Sequence, residues 1–270
     1  MPELPEVETV ARELRAQLLN KRIIKLQVLW PKTYIPLSRK EIEGQSILSV
    51  GRRGKYLLIH LDKAVLIVHL RMTGQLLFVS DGAADEPGDH IRVIFYFSDD
   101  SRLLFRDVRK FGRIWFTDKP ESVLKNVGPD ALDARVDFTY FFEQLQSRRM
   151  NVKAFLLAQR FISGLGNIYT DESLFRAGVH PASVTNAIDK KTARALLSEI
   201  RQVLKEALDN MGSTISDYRN PQGKKGNFQN YFTVYSRQGL PCKRCAAIIK
   251  KEKMAGRGTH FCPECQKVYV

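Results

Sequence analysis

Cys242-x-x-Cys245, sixteen residues, then Cys262-x-x-Cys265 is the feature that most restricts what this chain can fold into. Two such pairs at this separation supply four thiolates to one tetrahedral ion, the donor set of a structural zinc site. With four sulfurs bound, no coordination position remains for a reacting water, so one structural Zn2+ is expected. A redox or disulfide role suits the pattern less well, because all four cysteines of the chain lie together as C-x-x-C pairs, which points to a reducing cytosol. A module of about forty residues buries too little surface to fold without the metal. The stretch between the pairs predicts a β-hairpin turning at Gly256-Arg257-Gly258-Thr259, where Arg257 is either a phosphate contact or a solvated turn residue.

The charge balance names a partner class. The 270 residues carry a net charge of +14 with pI near 9.7. From Arg219 to the end, eleven Lys and Arg face two Glu, so most of the excess lies in the last fifth. A surplus of this size points to a polyanion, with nucleic acid ahead of an anionic membrane. No apolar run approaches the roughly 18 residues that span a bilayer. The first residues are acidic, Glu3 to Glu8, which is the wrong sign for a secretory leader.

Met1-Pro2-Glu3-Leu4-Pro5-Glu6 can be read in two ways. Pro5 with Glu6 and Glu8 can simply start a helix, proline and acids both suiting its first turn. Alternatively, removal of Met1 frees a secondary amine on Pro2 beside the Glu3 carboxylate. An α-amino group titrates near roughly 7.7–8.0, so a useful fraction is unprotonated at neutral pH and can attack a sugar C1′ to form an iminium.

Apolar spacing of three and four (Val7, Val10, Leu14, Leu18) predicts a helix over residues 5–19. Between residues 23 and 116 the pattern becomes short β-rich runs broken by Gly and Asp turns, which suggests a β-sandwich or barrel. Residues 81–89 read as a loop. After Gly128-Pro129 helical spacing returns over 138–147, 151–159, 167–177 and 190–211, and residues 212–230 read as a long polar loop. Three domains are expected: 1–130, 131–234 and 235–270.

Several stretches carry chemistry less specifically. Gly164-Leu-Gly-Asn167 fits a turn between two helices with Asn167 as N-cap, and such a terminus can bind phosphate. Arg52-Arg53-Gly54-Lys55 places cations in a turn, and Arg106-Asp-Val-Arg109-Lys-Phe111-Gly-Arg113 interleaves cations with an aromatic. Met72 precedes a turn glycine. Apolar side chains of this kind can wedge between base steps, although core packing is the plainer account of Met72 and Phe111.

Together these motifs resemble the formamidopyrimidine-DNA glycosylases, bacterial base-excision enzymes for oxidised purines. The resemblance runs from Pro2-Glu-Leu-Pro-Glu-Val-Glu-Thr9 through Arg53-Gly-Lys-Tyr-Leu57, His69-Leu-Arg-Met-Thr-Gly74, Arg109-Lys-Phe-Gly112 and Gly164-Leu-Gly-Asn-Ile-Tyr169 to Gly256-Arg-Gly-Thr-His-Phe-Cys262. It implies an α+β multidomain protein: an N-terminal β-sandwich with flanking helices, a helix-two-turn-helix domain and a C-terminal zinc-finger β-hairpin, with DNA held between domains. It also implies Pro2 as Schiff-base nucleophile, Glu3 as acid/base, and Lys55 and Arg257 in the β- and δ-eliminations. Met72, Arg109 and Phe111 would fill the gap left by an everted base, with Arg109 facing the orphaned cytosine. Asn167, Arg148 and Lys153 would contact DNA near the lesion, and the 213–230 loop would close over the flipped purine. The expected partner is double-stranded DNA with oxidised bases or abasic sites, bound by a cytoplasmic monomer. Two alternatives stand beside this: an endonuclease VIII-like enzyme for oxidised pyrimidines, and a zinc-ribbon nucleic-acid-binding protein without catalysis.

Overall fold

The structure is a computed structural model that describes residues 1–80, 88–214 and 225–270. Most of the loop expected at 81–89, and residues 215–224 of the loop expected at 213–230, lie outside the described residues. The chain divides into two compact units, Met1–Lys125 with Asn210–Asn227, and Asn126–Asp209 with Phe228–Val270.

The first unit opens with α1 (Leu4–Leu18), whose buried stripe Leu4, Val7, Val10, Ala11, Leu14 and Leu18 follows the helical period. Glu3 caps it, exchanging hydrogen bonds with Glu6 in a capping box. Among the described residues nine strands follow: β1 (Ile23–Val28), β2 (Tyr34–Pro36), β3 (Ile47–Arg53), β4 (Tyr56–Leu61), β5 (Val65–His69), β6 (Gly74–Val79), β7 (Ile91–Phe97), β8 (Arg102–Asp107) and β9 (Arg113–Thr117). They form two sheets, in the orders β1-β7-β8-β6 and β2-β9-β5-β4-β3. One apolar core joins them, with Phe95, Phe97 and Phe105 from the first sheet and Leu57, Ile59, Leu66 and Phe116 from the second. This is the expected sandwich. Along β4, Leu57, Ile59 and Leu61 are buried and alternate with half-buried neighbours, so one face packs inward. The three residues of β2, ending in Pro36, are too short a pattern to read as a strand. They pair in parallel with β9 at the edge of the sheet. A short helix, α2 (Glu121–Leu124), ends the unit's first segment.

In the second unit Asp137 and Asn151 cap α3 (Phe138–Gln146) and α4 (Val152–Leu157), each side chain accepting from the N3 backbone N–H. The connection to α5 (Asn167–Arg176) is shaped by Gln159. Its amide accepts from Gly164 N at 3.1 Å and donates to Leu165 O at 2.7 Å, while Gly164 sits at φ 109°, open to glycine. The long amphipathic α6 (Lys190–Asp209) packs on α5 and α3.

The zinc module contains the expected hairpin, β10 (Lys250–Met254) and β11 (Arg257–Phe261). Its turn is Ala255-Gly256 rather than 256–259, since Met254 pairs with Arg257. Both turn residues have positive φ, 49° and 70°, the two-residue turn whose twist matches that of the strands. Two adjacent carboxylates of α5 dock the module. Glu172 accepts from the backbone N–H groups of Thr233, Val234 and Tyr235 and from the Thr233 hydroxyl, and Asp171 accepts from His260 N at 2.9 Å.

Candidate functional site

In the first unit, residue 2 is buried at the start of α1 beneath an exposed Met1, outside the apolar core cluster. While Met1 is attached, the Pro2 nitrogen is an amide and has no basic lone pair. Glu3, next to it, is buried and fixed by the capping box, and Glu6 Oε2 accepts from Glu3 N at 2.7 Å. The other oxygen of Glu6 accepts from Ser213 N at 2.7 Å, so the helix start is bonded to the base of the 213–230 loop. Gly212, at φ 76°, leaves no room there for a Cβ, which would lie 2.6 Å from that same oxygen.

Lys55 is buried in the two-residue turn between β3 and β4, where Gly54 takes φ 56°. Arg52 ties this hairpin to α1 through Glu8, at 2.7 Å. Nearby His69 is buried and edge-on to the Tyr56 ring, and its Nδ1 accepts from Arg71 N at 3.0 Å. Burial, reinforced by the Arg71 and Lys55 charges, pulls the His69 imidazole down to about 3, so it is neutral at physiological pH.

Met72 and Phe111 are not core residues. They are 42% and 48% exposed, against the packing account that each allows singly. Arg109 is exposed between them, its Nη1 3.2 Å from Met72 Sδ and its guanidinium carbon 4.9 Å from the Phe111 ring centroid. An apolar pair joined by a guanidinium thus projects into solvent, a shape suited to entering a base stack.

In the second unit the structure brings Arg257, Asn167 and Lys153 to one strand. Arg257 is exposed at the start of β11. Asn167 is the first residue of α5 rather than its cap, which is Gly166, and its Nδ2 donates to Gly258 O at 2.9 Å. Lys153, expected to contact DNA near the lesion, does not reach the surface. It is 0% exposed, with Nζ 2.6 Å from Asp171 and 2.8 Å from Thr259 Oγ1, so its charge is consumed inside the protein. Helical spacing and a basic residue type did not reveal this, because the partner carboxylate comes from another helix. Arg148 is not part of this group. It stacks on Phe161 at 4.1 Å and donates to Gln144 O.

The four cysteine sulfurs lie within 4.8 Å of one another, with Cys242–Cys265 at 3.9 Å and Cys245–Cys262 at 3.5 Å. Tetrahedral zinc with sulfur at about 2.3 Å needs sulfurs about 3.8 Å apart. Arg244 N and Cys265 N donate to Cys242 and Cys262 sulfurs at 3.4 Å, favouring thiolates. Burial and the neighbouring sulfurs push the Cys265 thiol up, a repulsion that a dication reverses. The donor set fits, and the module carries one structural Zn2+.

Asp107, Thr73 and Asp171 were not singled out by sequence reasoning, which gave Glu6 only a place in the first turn of a helix. Of these three Asp107 offers a local signal, an Asp placed two residues before a turn N–H.

The chain matches the family models of the formamidopyrimidine-DNA glycosylase N-terminal domain over residues 1–114, the formamidopyrimidine-DNA glycosylase H2TH domain over 127–219, and the zinc finger found in FPG and IleRS over 239–268. It is 45% identical to formamidopyrimidine-DNA glycosylase of Bacillus licheniformis, over 99% of this chain and all of that one. The crystal structure of MutM (Fpg) from Thermus thermophilus superposes with TM-score 0.88 at 40% identity, covering 98% of each chain. The Lactococcus lactis Fpg is similar in complexes with abasic-site DNA (TM-score 0.88, 37% identity, 98% and 99% covered) and with oxidised-pyrimidine DNA (0.87, 38%, 98% and 100%).

Proposed function

The chain belongs to the formamidopyrimidine-DNA glycosylase family, and from that membership we propose that it excises oxidised purines from duplex DNA and cleaves the strand through the amine of Pro2. The observation that carries this reading is the Glu3 carboxylate, buried and clamped by the capping box directly beside residue 2. Cleavage of the Met1–Pro2 bond turns the amide nitrogen into a nucleophile next to a fixed acid/base.

The nitrogen lone pair forms a bond to C1′ as the glycosidic bond breaks and its electrons leave with the base. The attacking nitrogen sheds its proton, and Glu3 relays it to O4′ as the sugar ring opens, giving an iminium. The iminium acidifies C2′; loss of that proton expels the 3′ phosphate, and a second elimination expels the 5′ phosphate. Lys55 takes part in these proton transfers and Arg257 holds the flanking phosphates. Asn167 and Lys153 act on DNA through the strand they support, while Arg148 adds basic surface. Chemistry at C1′ requires the base to leave the stack, which costs a few kcal/mol, and Met72, Arg109 and Phe111 fill the gap. Residues 1–130 thus carry the chemistry, and 131–234 and 235–270 grip the duplex. The enzyme works as a cytosolic monomer. No helix among the described residues is long and apolar enough to cross a membrane.

Borohydride reduces the iminium, so the processed protein should be trapped covalently on a duplex containing 8-oxoguanine, and the form that keeps Met1 should not. Absence of a covalent complex with the processed protein defeats the nucleophile assignment. A second reading, activity on oxidised pyrimidines, is favoured by the Lactococcus lactis relative's complex with such DNA. A faster rate on thymine glycol than on 8-oxoguanine would make it the primary one.

A further inference from the structure

We propose that Asp107, together with Thr73, is the positioning residue that holds the Met72–Arg109–Phe111 wedge in its DNA-entering form before any DNA is bound. This rests on the reading of those three side chains as the wedge. They come from two loops, one after β5 and one after β8, and two exposed apolar tips in water have every reason to fold back onto the sandwich. They remain outside because one carboxylate bonds beside each of them.

Asp107 is 0% exposed at the end of β8. Its Oδ1 accepts from the Thr73 hydroxyl at 2.5 Å and from Arg109 N at 3.2 Å, and its Oδ2 accepts from Gly112 N at 2.7 Å. Thr73 follows Met72 in sequence, and Gly112 follows Phe111. The Thr73 oxygen also accepts from Arg109 N at 3.2 Å, closing a ring of bonds between the two loops. Beneath them lies the buried Phe105 ring. A Cβ at Gly112 would be 2.4 Å from it, and one at Gly74 would be 3.0 Å from it and 2.5 Å from Leu70 O, so both loops close there only as glycine. Lys110 and Arg71, the residues at the two bends, take the left-handed φ values 61° and 56°, a conformation that persists only where the surroundings fix it.

Neither Asp107 nor Thr73 projects to the surface, so neither touches DNA. Their effect falls on displacing a stacked, paired base, and chemistry on a sugar that has no base to displace is spared. Excision of 8-oxoguanine from a duplex is therefore compared with cleavage of an abasic site in single-stranded DNA. Asp107→Asn and Thr73→Val should slow the first by about tenfold while leaving the second within about twofold. Thr73→Ser, which restores the hydroxyl, should match the parent on both. If Asp107→Asn fails to fold, Thr73→Val, of nearly equal shape, carries the test. Equal losses on both substrates mean general damage and overturn the proposal. Unchanged excision in Thr73→Val while Phe111→Ala is slow also overturns it and leaves the wedge intact. Unchanged excision in Phe111→Ala as well defeats the wedge reading itself.

Discussion

Asp107 under the wedge and Asp171 under the zinc hairpin are both fully buried, and the protein neutralises them by different means. Asp107 is held by a hydroxyl and two backbone N–H groups, all uncharged. Asp171 faces the equally buried Lys153 at 2.6 Å and also takes the N–H of His260. Oriented neutral donors suffice where the chain can fold its own N–H groups around a carboxylate, as it does over residues 107–112. Where two helices and a distant strand are joined, the strand offers the carboxylate one backbone N–H, that of His260, and the Lys153 ammonium supplies a charged donor beside it. Arg109 is left at the surface beside the bonded Asp107, whereas the hairpin spends Lys153 on its own support and leaves Arg257 exposed.

The largest test of this contrast is metal removal. Structural zinc contributes on the order of 10–16 kcal/mol in small modules, so chelation or Cys262→Ser should unfold the finger and abolish duplex binding, with one zinc released per chain. Retained binding would mean that the Asp171 and Glu172 grip holds the hairpin unaided. Next, Asp171→Ala strands a buried ammonium and should cost about 3–5 kcal/mol in denaturant unfolding, while the paired Lys153→Met/Asp171→Leu change should recover most of it. A loss below about 1 kcal/mol would remove the distinction between the two aspartates. Asp107→Asn, which unsettles uncharged donors only, should cost less, about 1–3 kcal/mol.

The pH dependence comes next. The folded value of His69, about 3, lies below the unfolded value near 6.5, so the fold prefers neutral imidazole. Its contribution is complete above about pH 6.5 and is lost as pH falls toward 3, at up to about 1.4 kcal/mol per unit. His69→Gln should flatten that slope in unfolding measured across this range. The smallest stability change belongs to exposed Arg257. Arg257→Ala should leave unfolding within about 0.5 kcal/mol while reducing the salt slope of DNA binding by about one.

Much of this was legible from local pattern. The spacing of Val7, Val10, Leu14 and Leu18 specified α1, the β-rich runs narrowed the first unit to a sandwich or barrel, and the cysteine spacing specified the zinc module. Those signals lie within one element or one short module, where side-chain period and ligand spacing directly report geometry. The motifs also marked Pro2, Met72, Arg109, Phe111 and Arg257 as residues to examine. That Lys153 is buried and that Asp107 joins two loops was decided by contacts across 34 residues for Thr73–Asp107 and 106 for Lys153–Thr259, and the exposure of Met72 and Phe111 is likewise visible only in the folded chain. Residue type sets what a side chain can donate or accept; only the packed chain decides which partner arrives and whether water is excluded when it does.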